Sequence, residues 1–492
     1  MEKEELLQNL IWFSKKHYYV DDLDLVYNTN YLYKEFDIYP PLKEVSDHID
    51  DINVLVKELI SFYKDKGLDD RNAELKAIEI LGRITPAPSQ INQLFHKKYE
   101  HNHKEATEFL YQLGIDNYYV QKEKIDKNEE WITSIDGKDI EITINLSKPE
   151  KNNKDIAKLL SAKQVSDYPK CALCIENLGF YGNEKKDART NIRFAKLELN
   201  NSTWYMQYSP YGYFKEHMIL FSEEHTPMVM NKMVFDTLLD FATMFPHYVI
   251  GSNAALPIVG GSILNHEHFQ GGIHVFPLLR APFKKEIKIN NKDVKMYEVD
   301  YFDYTVCFVS KNKEELSKFV TKFSDYYNNY DDKSIDLISH TGETRHNVIT
   351  PIVRVVNNEY YFYAILRNNR TSEEYPDGIY HVHKEYQHIK KEGIGLIEAM
   401  GRFILPARLK RQLKLVDTYI DKECTAKEVV DTDPELKDFL DMIRYCKLHK
   451  IHSKEYVNMA CAEILKTVSV FKDDALGNIA KERFIESFTK TL

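Results

Sequence analysis

The segment His266-Glu267-His268-Phe269-Gln270 sets polar side chains at alternate positions, and His274 continues the alternation. An extended chain repeats every two residues, so His266, His268, Gln270 and His274 would leave one face, with neighbours roughly 6.5 Å apart. Two such groups can act on one ligand. A neutral imidazole attacks phosphorus and departs again readily, and a hydrogen bond at its second nitrogen selects the tautomer that can attack. An H-x-H pair serves equally well as a metal pair or as surface decoration. The preceding Gly260, Gly261 and Ser262 weigh against decoration, because glycines let backbone N–H groups approach phosphate oxygens. The whole run, from that turn through H-x-H-x-Q to Gly271-Gly272, points to histidine chemistry on a phosphate.

Other candidates are less specific. Cys171-Ala172-Leu173-Cys174 is a C-x-x-C pair that is redox-active, metal-binding or inert by sequence alone. Cys307, Cys424, Cys446 and Cys461 are scattered and read as small buried hydrophobes. Arg367 and Arg370 flank an asparagine pair at an expected strand end, where one could clamp a phosphate or both could be solvated. His381-Val382-His383 is a second H-x-H, expected to be a surface pair.

These residues need elements to position them. Residues 1–130 read as helical, with apolar positions at one-face spacing in Leu6, Leu7, Leu10 and Ile11, and again over 52–62 and 74–84 before Pro86-Ala87-Pro88. From about Trp131 the texture becomes strand-like. Strands are expected at 140–146, 204–208, 217–222, 248–252, 273–278, 304–310, 347–356 and 360–366, with a helix at 230–245 and a polar loop at 147–158. The chain reads as helical again from about Glu398, with Asp433 capping a helix that opens on Pro434. The expectation is an α+β fold: a mostly antiparallel sheet core, a helical N-terminal region and a helical tail. The divisions expected are 1–130, 131–300, 301–415 and 416–492.

Composition excludes several classes. A net charge of −10 without a dense basic block disfavours nucleic-acid binding. No apolar run approaches the ~20 residues that span a bilayer, and the acidic N-terminus lacks the pattern of a signal peptide. Six cysteines in 492 residues make no disulfide framework, so a reduced, cytoplasmic setting is expected.

The chain resembles the histidine-triad superfamily, and within it the galactose-1-phosphate uridylyltransferases of the longer bacterial type. The resemblance spans about 131–415 and rests on the blocks that begin at Tyr168, Leu220 and Arg367 and on the histidine strand. It implies a ping-pong exchange in which UDP-glucose leaves its uridylyl group on a histidine and galactose 1-phosphate collects it. By resemblance His268 is the nucleophile, and Asn253, Gly261 and Ser262 hold the diphosphate. Gln270 stands where hydrolytic relatives carry a third histidine; an amide cannot relay a proton near neutral pH, which favours transfer over hydrolysis. The resemblance also implies structural zinc on Cys171, Cys174, His225 and His266, a closed Cys₂His₂ set, and a homodimer. A corresponding second H-x-H helps bind another metal in shorter relatives, but here its remaining ligands are not evident. The relatives' C-terminal lysine falls near Lys390 and Lys391, without a match in spacing. Two other readings share these features: another histidine-triad nucleotidyltransferase or dinucleoside polyphosphate phosphorylase, and a non-catalytic zinc-stabilised binding protein.

Overall fold

Helix caps and apolar faces organise the first third of the chain. In the computed structural model, which describes residues 1–43, 45–147, 168–261 and 263–492, the helices Lys3–His17, Asp22–Phe36, Ile52–Asp65, Asp70–Ile84, Pro88–His101 and His103–Asp116 follow one another. Asp51 and Asp69 start two of them by accepting the Asn53 and Asn72 N–H groups at 2.8 Å. Leu55, Val56, Leu59 and Tyr63 then share one buried face.

The chain forms two compact units. The first comprises Met1–Lys127, Lys151–Gly212 and Glu216–His225, described from 168 in its middle segment. Beside its helices it holds three antiparallel strands, Ala195–Leu199, Ser202–Tyr208 and Met218–Ser222. Arg193 joins the two parts. Its guanidinium donates to the carbonyls of Gly82, Thr85, Pro86, Thr190 and Ile192 at 2.7–3.1 Å. It thereby satisfies carbonyls at the end of Asp70–Ile84 that have no partner within the helix.

The second unit comprises Asn128–Glu150, Tyr213–Lys215 and Thr226–Leu492. Its antiparallel strands run in the order His268–Gly272, Val249–Gly251, Asn347–Val356, Glu359–Asn368, Thr305–Ser310, Lys295–Val299 and Phe283–Ile287. Helices Lys232–Met244 and Lys313–Asn328 pack on each other and on Asn347–Val356. A second sheet joins Glu129–Ile135 to Lys138–Asn145, and the latter pairs in parallel with Arg402–Pro406. Helices of the C-terminal part, Arg408–Ile420, Leu440–His449 and Ser453–Val468, complete the core with Val416, Met442, Val457 and Ile464. Among the described residues no helix is long and apolar enough to cross a membrane.

The mixed α+β architecture with antiparallel sheet agrees with the expectation, and four local readings are corrected. Residues 273–278 do not form a strand, because the chain turns into the short helix Pro277–Arg280. Residues 402–406 form a strand inside the stretch read as helix, since parallel pairing with Lys138–Asn145 outweighs local propensity. Pro434–Phe439 is a 3-10 turn, and the Asp433 carboxylate accepts from the Tyr419 hydroxyl at 2.6 Å instead of capping. His274 lies beyond the end of its strand. From 148 onward the expected loop at 147–158 falls outside the described residues.

His274 belongs to a polar cluster around the buried Glu141. Glu141 accepts from His274 Nε2 at 2.7 Å, Arg280 Nη1 at 2.9 Å and Arg402 Nη1 at 3.0 Å. Burial alone would raise this carboxyl, but the hydrogen bonds from His274, Arg280 and Arg402 overcome it and hold it down to about 2. A carboxyl lowered in this way adds stability above its unfolded value of ~4.3, and the contribution fades as pH falls toward the lowered value. Glu141→Gln should therefore lower the melting temperature at pH 7. The gap to wild type should narrow between pH 5 and pH 2; a gap constant with pH would contradict this account.

Candidate active site and metal cluster

The strand His268–Gly272 is only five residues long, so the same-face argument applies to His268 and Gln270 alone. Gln270 is half-buried and pairs with Gly251 on the neighbouring strand. His268 is buried, and its Nδ1 lies 2.8 Å from the His266 carbonyl oxygen. A carbonyl can only accept, so Nδ1 carries the hydrogen and the neutral ring presents an unprotonated Nε2. Burial pushes the imidazole below its ordinary value, and the carbonyl contact opposes this only in part. The ring is therefore held neutral, with one nitrogen fixed and the other available to attack.

His266 sits in a bend just ahead of the strand and is fully buried. One ligand atom each from Cys171, Cys174, His225 and His266 lies within 4.8 Å of the others, so this group could hold a metal ion. Cys174 Sγ is 3.5 Å from Cys171 Sγ and 3.1 Å from His225 Nδ1, and the two cysteines are not joined in a disulfide. Two sulfurs and two imidazoles form a soft, four-ligand donor set of the kind that suits zinc. The turn that presents the cysteines is held by Asn177, whose Nδ2 donates to both the Cys171 and Cys174 carbonyls at 2.8 Å. The Leu173 N–H also points at Cys171 Sγ, at 3.4 Å.

Two residues with structural importance here were not singled out by sequence. Asn177 is one; the C-x-x-C spacing carries no information about a side chain three positions further on. Glu267 is the other. Its Oε2 accepts from the Val229 N–H at 2.9 Å, while its own N–H donates to the Thr226 carbonyl at 2.8 Å and Met228 N–H donates to Leu264. These bonds fasten the chain just after His225 to the chain around His266.

The loop after Val249–Gly251 carries Asn253 and Gly261, two of the expected diphosphate contacts; the third, Ser262, lies outside the described residues. Asn253 is buried, and its Oδ1 accepts from the Leu396 N–H at 2.8 Å. A Cβ at Gly261 would lie 2.7 Å from Asn253 Nδ2, and one at Gly260 would lie 2.3 Å from the Ala254 carbonyl oxygen. The glycine at 260 is thus required by the loop's own fold. Ile258, a β-branched residue, is held at φ +72°, a conformation that costs on the order of 1–3 kcal/mol.

The remaining candidates lie elsewhere. Arg367 is 1% exposed on the strand Glu359–Asn368, and its Nη2 donates to the Ile394 carbonyl at 2.7 Å. Arg370 is bonded to the Asp336 backbone carbonyl and side chain. Lys390 is buried and bonds to Glu398 at 2.9 Å. The expectation of a surface pair at His381 and His383 is corrected: His381 is buried, and His383 stacks on Tyr375 at 4.2 Å while bonding to the Ile379 carbonyl.

Known proteins share extended sequence with this chain. The family described as galactose-1-phosphate uridyl transferase, N-terminal domain, matches residues 61–227, which include Cys171, Cys174 and His225. The galactose-1-phosphate uridylyltransferase of Clostridium acetobutylicum is 40% identical over 97% of this chain and 98% of its own length. That of Lactiplantibacillus plantarum is 40% identical over 84% of each chain, and that of Caldanaerobacter subterraneus 37% over 98% and 97%. The chain belongs to the galactose-1-phosphate uridylyltransferase family. Among solved structures, yeast Ap4A phosphorylase is similar at 10% identity over 71% of this chain and 92% of its own, with a TM-score of 0.31.

The loop geometry yields a stability prediction. Gly260→Ala forces a methyl group against backbone, which overpacking data place at about 1–3 kcal/mol. Urea unfolding should show a lower midpoint; an unchanged midpoint would mean that the loop relaxes freely.

Proposed function

We propose that the chain transfers the uridylyl group of UDP-glucose to galactose 1-phosphate through a covalent uridylyl-histidine on His268. The observation that carries this reading is the buried neutral imidazole with Nδ1 fixed on the His266 carbonyl. Its Nε2 lone pair attacks the α-phosphorus of UDP-glucose, the bond to the bridging oxygen breaks, and glucose 1-phosphate leaves. A phosphate oxygen of galactose 1-phosphate then attacks the same phosphorus, the P–N bond breaks, and UDP-galactose departs with the imidazole restored. Family membership supports uridylyl transfer to galactose 1-phosphate, which the names of the relatives state.

Gln270 is assigned a hydrogen bond to a phosphoryl oxygen. It follows His268 on the same face of the strand, and its amide has no acid–base function near pH 7. Asn253 is assigned the diphosphate through its amide nitrogen, since its oxygen is already engaged by Leu396. Zinc is the ion proposed for Cys171, Cys174, His225 and His266. A closed four-ligand set would tie those segments together and offer no open position to substrate.

Two measurements test the proposal. Protein incubated with uridine-labelled UDP-glucose should retain acid-labile, base-stable label, and galactose 1-phosphate should remove it. His268→Ala should retain none. Label on that variant would sink the nucleophile assignment, and no label on wild type would sink the covalent mechanism. Metal analysis of the purified chain should find about one zinc per chain, as a closed structural site requires. Cys174→Ser should lose most of the metal and melt lower; wild type without bound metal would refute the zinc site.

A further inference from the structure

An arginine at a strand end beside asparagines invites a phosphate-clamp reading. Its surroundings argue otherwise. With 1% of its surface exposed, Arg367 has no face open to a sugar phosphate. A permanently charged guanidinium is costly to bury, so a fold that keeps one there gains something specific from it. Of its donors, Nη2 reaches the Ile394 carbonyl at 2.7 Å, while Nε and Nη1 have no hydrogen-bond partner among the described residues. The buried Asp303 carboxyl opposes this charge only in part, because burial pushes that carboxyl up to about 7.

Ile394 lies in a segment that touches the candidate diphosphate loop at two points. Two residues on, the Leu396 N–H holds Asn253 Oδ1 at 2.8 Å. One residue back, Gly393 runs so close to Ile258 that a Cβ there would lie 2.5 Å from the Ile258 carbonyl oxygen. Ile258 is the residue held at φ +72°, and such a conformation persists only where its surroundings over-determine it. Gly395 completes the contact, with a Cβ position 3.0 Å from Asn253 Oδ1.

We infer that Arg367 is a positioning residue: by gripping the Ile394 carbonyl it seats residues 393–396 against the loop and so aims the Asn253 amide. The inference rests on the proposed role of Asn253 with the diphosphate. Arg367 then acts through Asn253, whereas a direct phosphate ligand would act independently of it.

A double-mutant cycle in the full-length chain separates these cases, read as kcat/KM for UDP-glucose and as label uptake by His268. Arg367→Met and Asn253→Ala should each lower kcat/KM on the order of a hundredfold, the scale for a misplaced binding group. The double variant should be no more than about threefold worse than the weaker single variant, because coupled residues are not additive. Arg367→Lys, which keeps a donor for the Ile394 carbonyl, should recover much of the loss. If Arg367→Met does not fold, Arg367→Gln takes its place in the cycle, since a shorter neutral side chain also gives up the guanidinium contact to the Ile394 carbonyl. Losses that multiply, or an Arg367→Met protein with wild-type kcat/KM, would overturn the inference. Wild type run alongside keeps the two questions apart. If wild type takes up label while the losses multiply, only the role of Arg367 fails; if it takes up none, the proposed reaction fails.

Discussion

The hydrogen bond between His268 Nδ1 and the His266 carbonyl constrains everything around it. It sets the tautomer of a buried imidazole, and with it which nitrogen can meet a ligand. The residue that supplies the carbonyl also turns its own side chain to the Cys171, Cys174 and His225 cluster. Glu267, between the two histidines, reaches a third way and holds the backbone at Val229. Three successive side chains can serve three partners only if the chain there is not regular strand. The bend at His266, immediately before the strand begins at His268, meets that requirement.

The loop from Ser252 to Gly261 follows the same logic of backbone held by neighbours rather than by regular pairing. Its left-handed isoleucine and close glycine contacts are local costs that short-range structure alone does not offset. The segment 378–396 supports it from outside, again through glycines: Gly393 meets the Ile258 carbonyl, and Gly378 and Gly395 leave room for the Ile258 and Asn253 side chains. Farther along, the chain leaves the histidine strand and reaches His274, where Glu141, itself held by two arginines, fixes it to the second sheet of the same unit. The site strand is therefore anchored at both ends by polar contacts, while its middle is held by ladder bonds to Val249–Gly251.

Much of the fold was legible from local pattern. Apolar spacing marked the N-terminal stretch as helical, with faces at 6–11, 52–62 and 74–84 that lie in observed helices, and β-branched runs revealed 347–356 at its observed bounds. Failures came where partners distant in sequence decided the outcome. Residues 402–406 are a strand because residues 141–145 lie beside them, and 273–278 are not one because the chain there turns into Pro277–Arg280, with His274 bonded to Glu141. His381 looked like half of a surface pair, yet it is buried beneath Gly378 and Gly393.

For the site, sequence by itself determined which chemistries were available: alternating histidines and an amide, a C-x-x-C pair, and glycines before a strand. Those are properties of residue type and short spacing, which survive any arrangement of the rest of the chain. Only the tertiary structure decided which nitrogen of His268 carries the hydrogen, that Cys171, Cys174, His225 and His266 meet, and that Arg367 is buried against Ile394. Each of these depends on a carbonyl, a thiol or a packed segment brought in from elsewhere in the chain, and no local pattern encodes that approach.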